Sequence, residues 1–230
     1  MRDFSHLRHL SRHVVYRSEH LRTTWRFRLG LAAAIVLAAW LTSGWWTVAV
    51  ASSLVCETNA APSDAILIEN FDPDYLLFER ATALKKQGLA PRVLVPVRAA
   101  APSEPNLVGL GTAHVMANVA HLDAVDIVPF REVEPISLNA ARDILRFLQQ
   151  EQIQSVIVVA PNFRSRRSAL IYAATLGRAG ITVTCEPVQG VAGVTSWTAS
   201  LHGIQNVVEQ WIKLQYYRLY VLPFRLETAA

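Results

Sequence analysis

Two rhythms of apolar and polar residues run along this chain. From Asp64 onward, short apolar or β-branched runs recur: Ala65–Ile68, Val93–Val97, Val125–Val128, Val156–Val159 and Thr182–Cys185. Unbroken runs of this length predict strands buried on both faces. Between them the apolar residues return every three or four positions, which predicts helices. These cover Tyr75–Gln87 (ended by Gly88), about Ala113–Leu122, Leu138–Gln150 with Ser137 as N-cap, and the stretch from the turn after Val159 to Ala179-Gly180. Strand and helix in strict alternation predict an α/β fold: a five-stranded, mostly parallel, Rossmann-like sheet with helices on both faces. A last long helix, Ser200–Tyr220, presents Ile204, Val207, Val208, Trp211, Ile212 and Leu214 as one apolar face. Tyr216, Tyr217 and Tyr220, with Lys213 and Arg218, either pack on the sheet or touch lipid headgroups.

The second rhythm precedes Asp64. Leu29–Val55 is 27 residues without a charge, enough for a bilayer core that needs roughly 20 residues. Trp25, Trp45 and Trp46 suit its interfaces. The expectation is one uncleaved transmembrane helix, because the n-region is too long and the apolar stretch exceeds the h-region of a signal peptide. The chain then divides into a basic tail (1–28), a transmembrane anchor (29–55), a short linker (56–63) and an α/β domain (64–230).

Charge locates the ends. The net charge of +4 is carried by the tail, where seven arginines face only Asp3 and Glu19. Residues 57–230 hold fifteen Lys and Arg against sixteen Asp and Glu. A domain near neutrality argues against nucleic acid as a partner. Arginines before the apolar stretch place the N-terminus in the cytoplasm and the domain outside, as a single-pass inner-membrane protein with a periplasmic or extracytoplasmic domain. The lipid bilayer is then a partner through residues 29–55. Part of the tail reads as an amphipathic surface helix, with Leu7, Leu10, Val14 and Leu21 on one side. His6, His9 and His13 share a helical face there, but no cysteine or carboxylate completes a metal set. Cys56 and Cys185 would meet an oxidising compartment, and their pairing stays open.

Candidate chemistry gathers at the carboxyl ends of the strands, where open parallel sheets bind ligands. Those ends carry Glu69, Asn70, Asp72 and Asp74, then Arg98, then Arg131, Glu132 and Glu134, then Asn162, Arg164 and Arg167, and last Glu186. The turn after the fourth strand, Asn162–Arg167, sets arginines at a helix N-terminus, where dipole and guanidinium both attract an anion. Mutual salt bridges explain the same residues. The expected ligand set is Arg164, Arg167, Asn162, Glu69, Asp72, Arg98, Glu104 and Glu134, with no catalytic residue, no metal and no cofactor. Glycine-rich phosphate loops, a nucleophile elbow and Cys/His metal spacings do not occur in the sequence. His114, His121 and His202 stand alone and read as surface or structural residues.

From about Asp64 to Tyr220 the chain resembles the YdcF-like family, in particular its membrane-anchored SanA-like and ElyC-like members. Asp64-Ala65-Ile66-Leu67-Ile68 stands at the family's first strand, Ser103-Glu104 at a Ser-Glu pair, and Asn139-Ala140 at a helix start. Val159-Ala160-Pro161-Asn162-Phe163-Arg164-Ser165-Arg166-Arg167 stands at a strand followed by a Phe-His-x-x-Arg turn. The departures lie at the site. Glu69-Asn70-Phe71-Asp72-Pro73-Asp74 replaces a glycine-rich turn, Pro96-Val97-Arg98-Ala99-Ala100 replaces a Ser-Gly-Gly, and Arg164 replaces the histidine. Arginine cannot serve as a base near neutral pH. The resemblance implies an envelope protein. One reading is a non-catalytic binding or accessory subunit of a membrane complex. The other is an enzyme or binding module for an anionic, lipid-linked cell-wall precursor.

Overall fold

The computed structural model describes residues 24–69, 71, 74–99 and 106–225. The tail helix with its histidines, and the candidate residues Asn70, Asp72 and Glu104, lie outside them. The chain divides into two compact units, Met1–Gly44 and Trp45–Ala230.

In the first unit, α1 (Trp25–Leu41) starts at Thr24, whose hydroxyl accepts the Phe27 N–H. It stops at Thr42, whose hydroxyl donates to the Ala38 carbonyl at 2.8 Å. Such back-bonding bends helices, and the Ser43-Gly44 pair that follows favours a kink. A second helix, α2 (Ser43–Ser52), resumes after the break. This corrects the expectation of one continuous span over 29–55. Among the described residues no single helix is long and apolar enough to cross a membrane, and α1 and α2 meet length and composition only together, as a bent pair.

The second unit is built on β1 (Ala65–Ile68), β2 (Arg92–Arg98), β3 (Asp126–Phe130), β4 (Ser155–Pro161) and β5 (Thr182–Val188). The sheet order is β3-β2-β1-β4-β5 and every neighbouring pair is parallel. The period of two is strict in the central strands. Ala65, Leu67, Val156, Val158 and Ala160 face α5 (Ile136–Gln150) and α6 (Asn162–Thr175). Ile66, Ile68, Ile157 and Val159 face α3 (Tyr75–Lys86) and α4 (Leu107–Val119). The expected α/β architecture with helices on both faces is therefore present, and the sheet is wholly parallel.

Three local expectations differ. α4 begins six residues before Ala113 because Asn106 caps it, its Oδ1 accepting the Gly109 N–H at 3.0 Å. α5 begins at Ile136, after Pro135, so Ser137 is inside the helix and is not its cap. The last helix, α7 (Leu201–Tyr216), passes through a π-helical turn, Tyr217–Val221, into α8 (Leu222–Arg225). Its buried stripe is Gly203, Val207, Gln210, Leu214, Tyr217 and Val221. Ile204, Val208, Trp211 and Ile212 are exposed, so the expected apolar face is split between core and solvent. Gly203 admits this packing, since a Cβ there would come within 2.2 Å of the Trp197 carbonyl oxygen.

The compact unit also takes in residues upstream of Asp64. Ala51 and Leu54 are buried against Phe163, Trp197, Val207 and Leu214, and the Trp197 indole N–H donates to the Thr47 carbonyl. Cys56 and Cys185 form a disulfide. Beside it the Asn59 N–H donates to the Cys185 carbonyl, and the Cys185 N–H to Asn59 Oδ1 at 2.8 Å. Residues 56–59 thus occupy hydrogen-bonding groups of the edge strand β5, which would otherwise be open to another strand.

At the opposite end of the sheet Asp64 joins β1 to β4. Its carboxylate accepts the N–H groups of Gln154 and Ser155 and the Ser155 hydroxyl, each at 2.9 Å. The Gln154 N–H, then the Ser155 hydroxyl, hold its pKa below the ordinary 3.8. A depressed carboxylate contributes stability above its unfolded pKa and loses it as pH falls through the folded value. Acid unfolding of the wild type should therefore steepen below about pH 4. In Asp64→Asn, circular dichroism should show lower stability at pH 7 and a flatter acid limb.

Candidate functional site

The strand order reverses between β1 and β4. The chain steps outward through β2 and β3, then crosses back to the far side of β1. In open α/β sheets the crevice at this reversal, beyond the carboxyl ends of the strands, is where ligands bind. Glu69 directly follows β1, and β4 runs through Pro161 directly into α6. The first turn of α6 has no side-chain cap.

Glu69 is buried and accepts a 2.6 Å hydrogen bond from the Ser168 hydroxyl, nearly two turns into α6. Arg164 and Arg167, on the same helix, lie within its field. Arg167 is only 6 % exposed. Desolvation lowers its pKa, Glu69 opposes that loss, and neighbouring Arg164 adds to it. Its guanidinium carbon sits 5.5 Å from the centroid of the Tyr217 ring, a cation–π geometry. The Tyr217 hydroxyl in turn accepts the Ser137 N–H at 3.2 Å. Tyr217 continues the buried stripe of α7 and opens the π-helical turn, and such turns recur at functional sites. Tyr172 is wholly buried, its hydroxyl without a partner among the described residues. Burial first, then Glu69, raises its pKa well above the ordinary value, so it stays a neutral phenol.

Two cavities open on either side of the α6 N-terminus. The larger, ≈ 630 Å³, is lined by Arg98, Glu132, Glu134, Arg164, Arg167 and Lys213, with Phe71, Phe130, Tyr216 and Tyr217 as aromatic walls. Pairing of β2 with β1 stops at Leu94, two residues before Pro96, and with β1 ended at Ile68 the larger cavity opens beyond. The smaller, ≈ 450 Å³, is lined by Asp74, Asn162, Arg164, His202, Asn206 and Gln210 among others. Arg164 lines both.

Of the expected ligand set, Arg98, Glu134, Arg164 and Arg167 come together in the larger cavity, and Asn162 in the smaller. Glu69 stands behind the arginines rather than on the cavity wall. The outer charges satisfy one another: Arg98 pairs with Glu132, and Lys213 with Glu209. Arg131 pairs with Asp143 at 3.2 Å, and Glu186 takes a forked bond from Arg80 at 2.7 and 2.9 Å, both outside either cavity lining. Asp74 caps α3 through the Leu76 N–H. One arm of the inner cluster stays open: Arg167 Nε is buried with no hydrogen-bond partner among the described residues. Sequence reasoning missed Tyr172 and Gln210, and left His202 outside any site. Their signal is weak, because each looks like one more residue on an amphipathic helix.

Among the described residues no group of His, Cys, Asp and Glu is arranged to hold a metal ion. What the arrangement can do is bind an anion. Removing Glu69 by Glu69→Ala should strip buried Arg167 of the carboxylate that most opposes its desolvation and cost about 3–5 kcal/mol in urea unfolding. Arg98→Ala breaks a half-exposed pair and should cost less than about 1 kcal/mol. Equal effects would place the charge centre elsewhere. Against known proteins the chain stands apart: no family model, no curated protein and no solved structure matches it.

Proposed function

We propose that this chain is a membrane-attached, non-catalytic binding module of the cell envelope, whose α/β unit holds an anionic group against Arg164 and Arg167. The observation that carries the reading is the Arg167 side chain: buried, lining a cavity of ≈ 630 Å³ at the strand-order reversal, with Nε unpartnered among the described residues. A buried donor left without an acceptor costs about 1–3 kcal/mol, which a bound oxyanion recovers. Arginine's planar fork suits phosphate and carboxylate oxygens. Neither the arginines nor Tyr172 supplies a base. Arginine stays protonated, and Tyr172 is held as a neutral phenol.

Envelope placement rests on separate grounds. Seven arginines precede an apolar stretch without charge, and the Cys56–Cys185 disulfide suits an oxidising compartment. The same grounds, with the YdcF-like resemblance of the strand-and-turn motifs, make the partner a bilayer and subunits of a membrane complex.

Two measurements test this. Full-length protein in mild detergent should gain melting temperature with inorganic phosphate or pyrophosphate. In Arg167→Lys, which keeps the charge that balances Glu69 but loses the fork, apparent affinity should fall roughly ten- to hundredfold. Its ligand-free melting should stay within a few degrees. No anion-dependent shift in the wild type sinks the binding reading. For topology, a reporter active only in the cytoplasm and fused after Ala230 should be silent, and strong activity overturns the exported placement.

A further inference from the structure

The smaller cavity differs from the larger in kind. It lies beyond the carboxyl ends of β4 and β5, bounded by Pro161, Val188 and the start of α7. Its polar wall is mostly uncharged, and three carboxamides, Asn162, Asn206 and Gln210, dominate it. Asn162 and Gln210 are each 8 % exposed. Gln210 Oε1 has no hydrogen-bond partner among the described residues. It belongs to the buried stripe of α7, between Val207 and Leu214, where a hydrocarbon residue would be the ordinary choice. A buried carbonyl oxygen without a donor is costly, and an ionised carboxylate or phosphodiester cannot supply one, having only acceptors at neutral pH. The missing group must carry O–H or N–H.

We propose that the smaller cavity is a subsite for a hydroxyl-bearing ring, a sugar, joined to the anion that Arg164 and Arg167 hold. The proposal rests on the anion-binding reading above. Arg164 is the link, because it lines both cavities. An anion at Arg164 therefore places whatever it esterifies at the mouth of the smaller cavity. Hydroxyls donate and accept at once, which matches carboxamides that do the same. The donor goes to Gln210 Oε1, and the carboxamide N–H groups of Asn162 and Asn206 meet the ring oxygens. The volume of ≈ 450 Å³ falls within the roughly 300–1,000 Å³ of small-molecule sites. The ligand class is a sugar phosphate, free or as the head of a larger molecule.

Calorimetry on the full chain in mild detergent tests the subsite with inorganic phosphate, methyl phosphate, and the 1-phosphates of glucose, galactose and N-acetylglucosamine. At least one sugar phosphate should bind ten times more tightly than inorganic or methyl phosphate. Gln210→Leu should erase that gain and leave phosphate affinity unchanged. Asn206→Ala, on the exposed side of the cavity, should reduce the gain and guards against misfolding of the first variant. If phosphate binds but no sugar phosphate exceeds methyl phosphate, the subsite is overturned and the anion site stands. A gain that survives both substitutions also overturns it. Failure of every anion to bind removes the anion reading, and the subsite with it.

Discussion

A carboxylate almost out of water at the end of the central strand sets the arrangement of everything around it. Glu69 follows β1, in the middle of the sheet, and has little solvent to stabilise its charge. An isolated buried charge is expensive, so the fold must bring compensation to it. α6 does so with three residues from two turns: the Ser168 hydroxyl by direct hydrogen bond, Arg164 and Arg167 by their field. Arg167 is then itself desolvated, and the Tyr217 ring takes part of that load. Tyr217 reaches it because it continues the buried stripe of α7 at helical spacing, one turn after Leu214. A single buried carboxylate thus accounts for the inward-turned Arg167 and for the Tyr217 ring set against it on the wall of the larger cavity. The compensation leaves a donor over, Arg167 Nε, and the proposed anion site rests on that remainder.

The strands were legible because a parallel sheet covered on both faces needs continuous apolar runs, and Ile66–Ile68 and Val156–Val159 are such runs. The reversal at β1 and β4 could be anticipated as the place for a site, since the arginine turn directly follows the fourth strand. Three things could not be read. The charge-free stretch before the domain reads as one span by composition, and Thr42-Ser43-Gly44 marks the break only weakly, yet the Thr42 hydroxyl competes for the Ala38 carbonyl and ends the helix. Ile204, Val208, Trp211 and Ile212 look like a core face by spacing, but Gly203, Val207, Gln210 and Leu214 take that role. Gly203 and Gln210 conceal the true stripe, because one has no side chain and the other is polar. Among the charges, pattern alone could not tell that Glu186 turns to Arg80 and Arg131 to Asp143. Pairing of long side chains is decided by geometry that sequence order does not encode.

The segment before Asp64 carries more structure than its composition suggests. The Cys56–Cys185 bond and the two hydrogen bonds of Asn59 fasten it along β5. The Cys56 N–H also donates to the Ser165 hydroxyl, and the Arg166 N–H to the Leu54 carbonyl. Ser165 and Arg166 lie between the two arginines of the candidate site. The same few residues therefore close a sheet edge and hold the start of α6 in place. Reduction of the disulfide would act on both at once, through the helix that carries Arg164 and Arg167.

The two cavities then divide one helix terminus between charge and neutral polarity. On one side Arg167 and the aromatic walls make a strongly electrostatic space, where Arg98 and Glu132 neutralise each other at the mouth. On the other, carboxamides make a space of fixed dipoles without net charge. A purely anionic ligand satisfies the first and leaves Gln210 unpaired. A purely neutral one does the reverse with Arg167. The proposed ligand, which carries both functions, answers both orphaned groups, and Arg164, shared by the two walls, would set how far apart those functions lie.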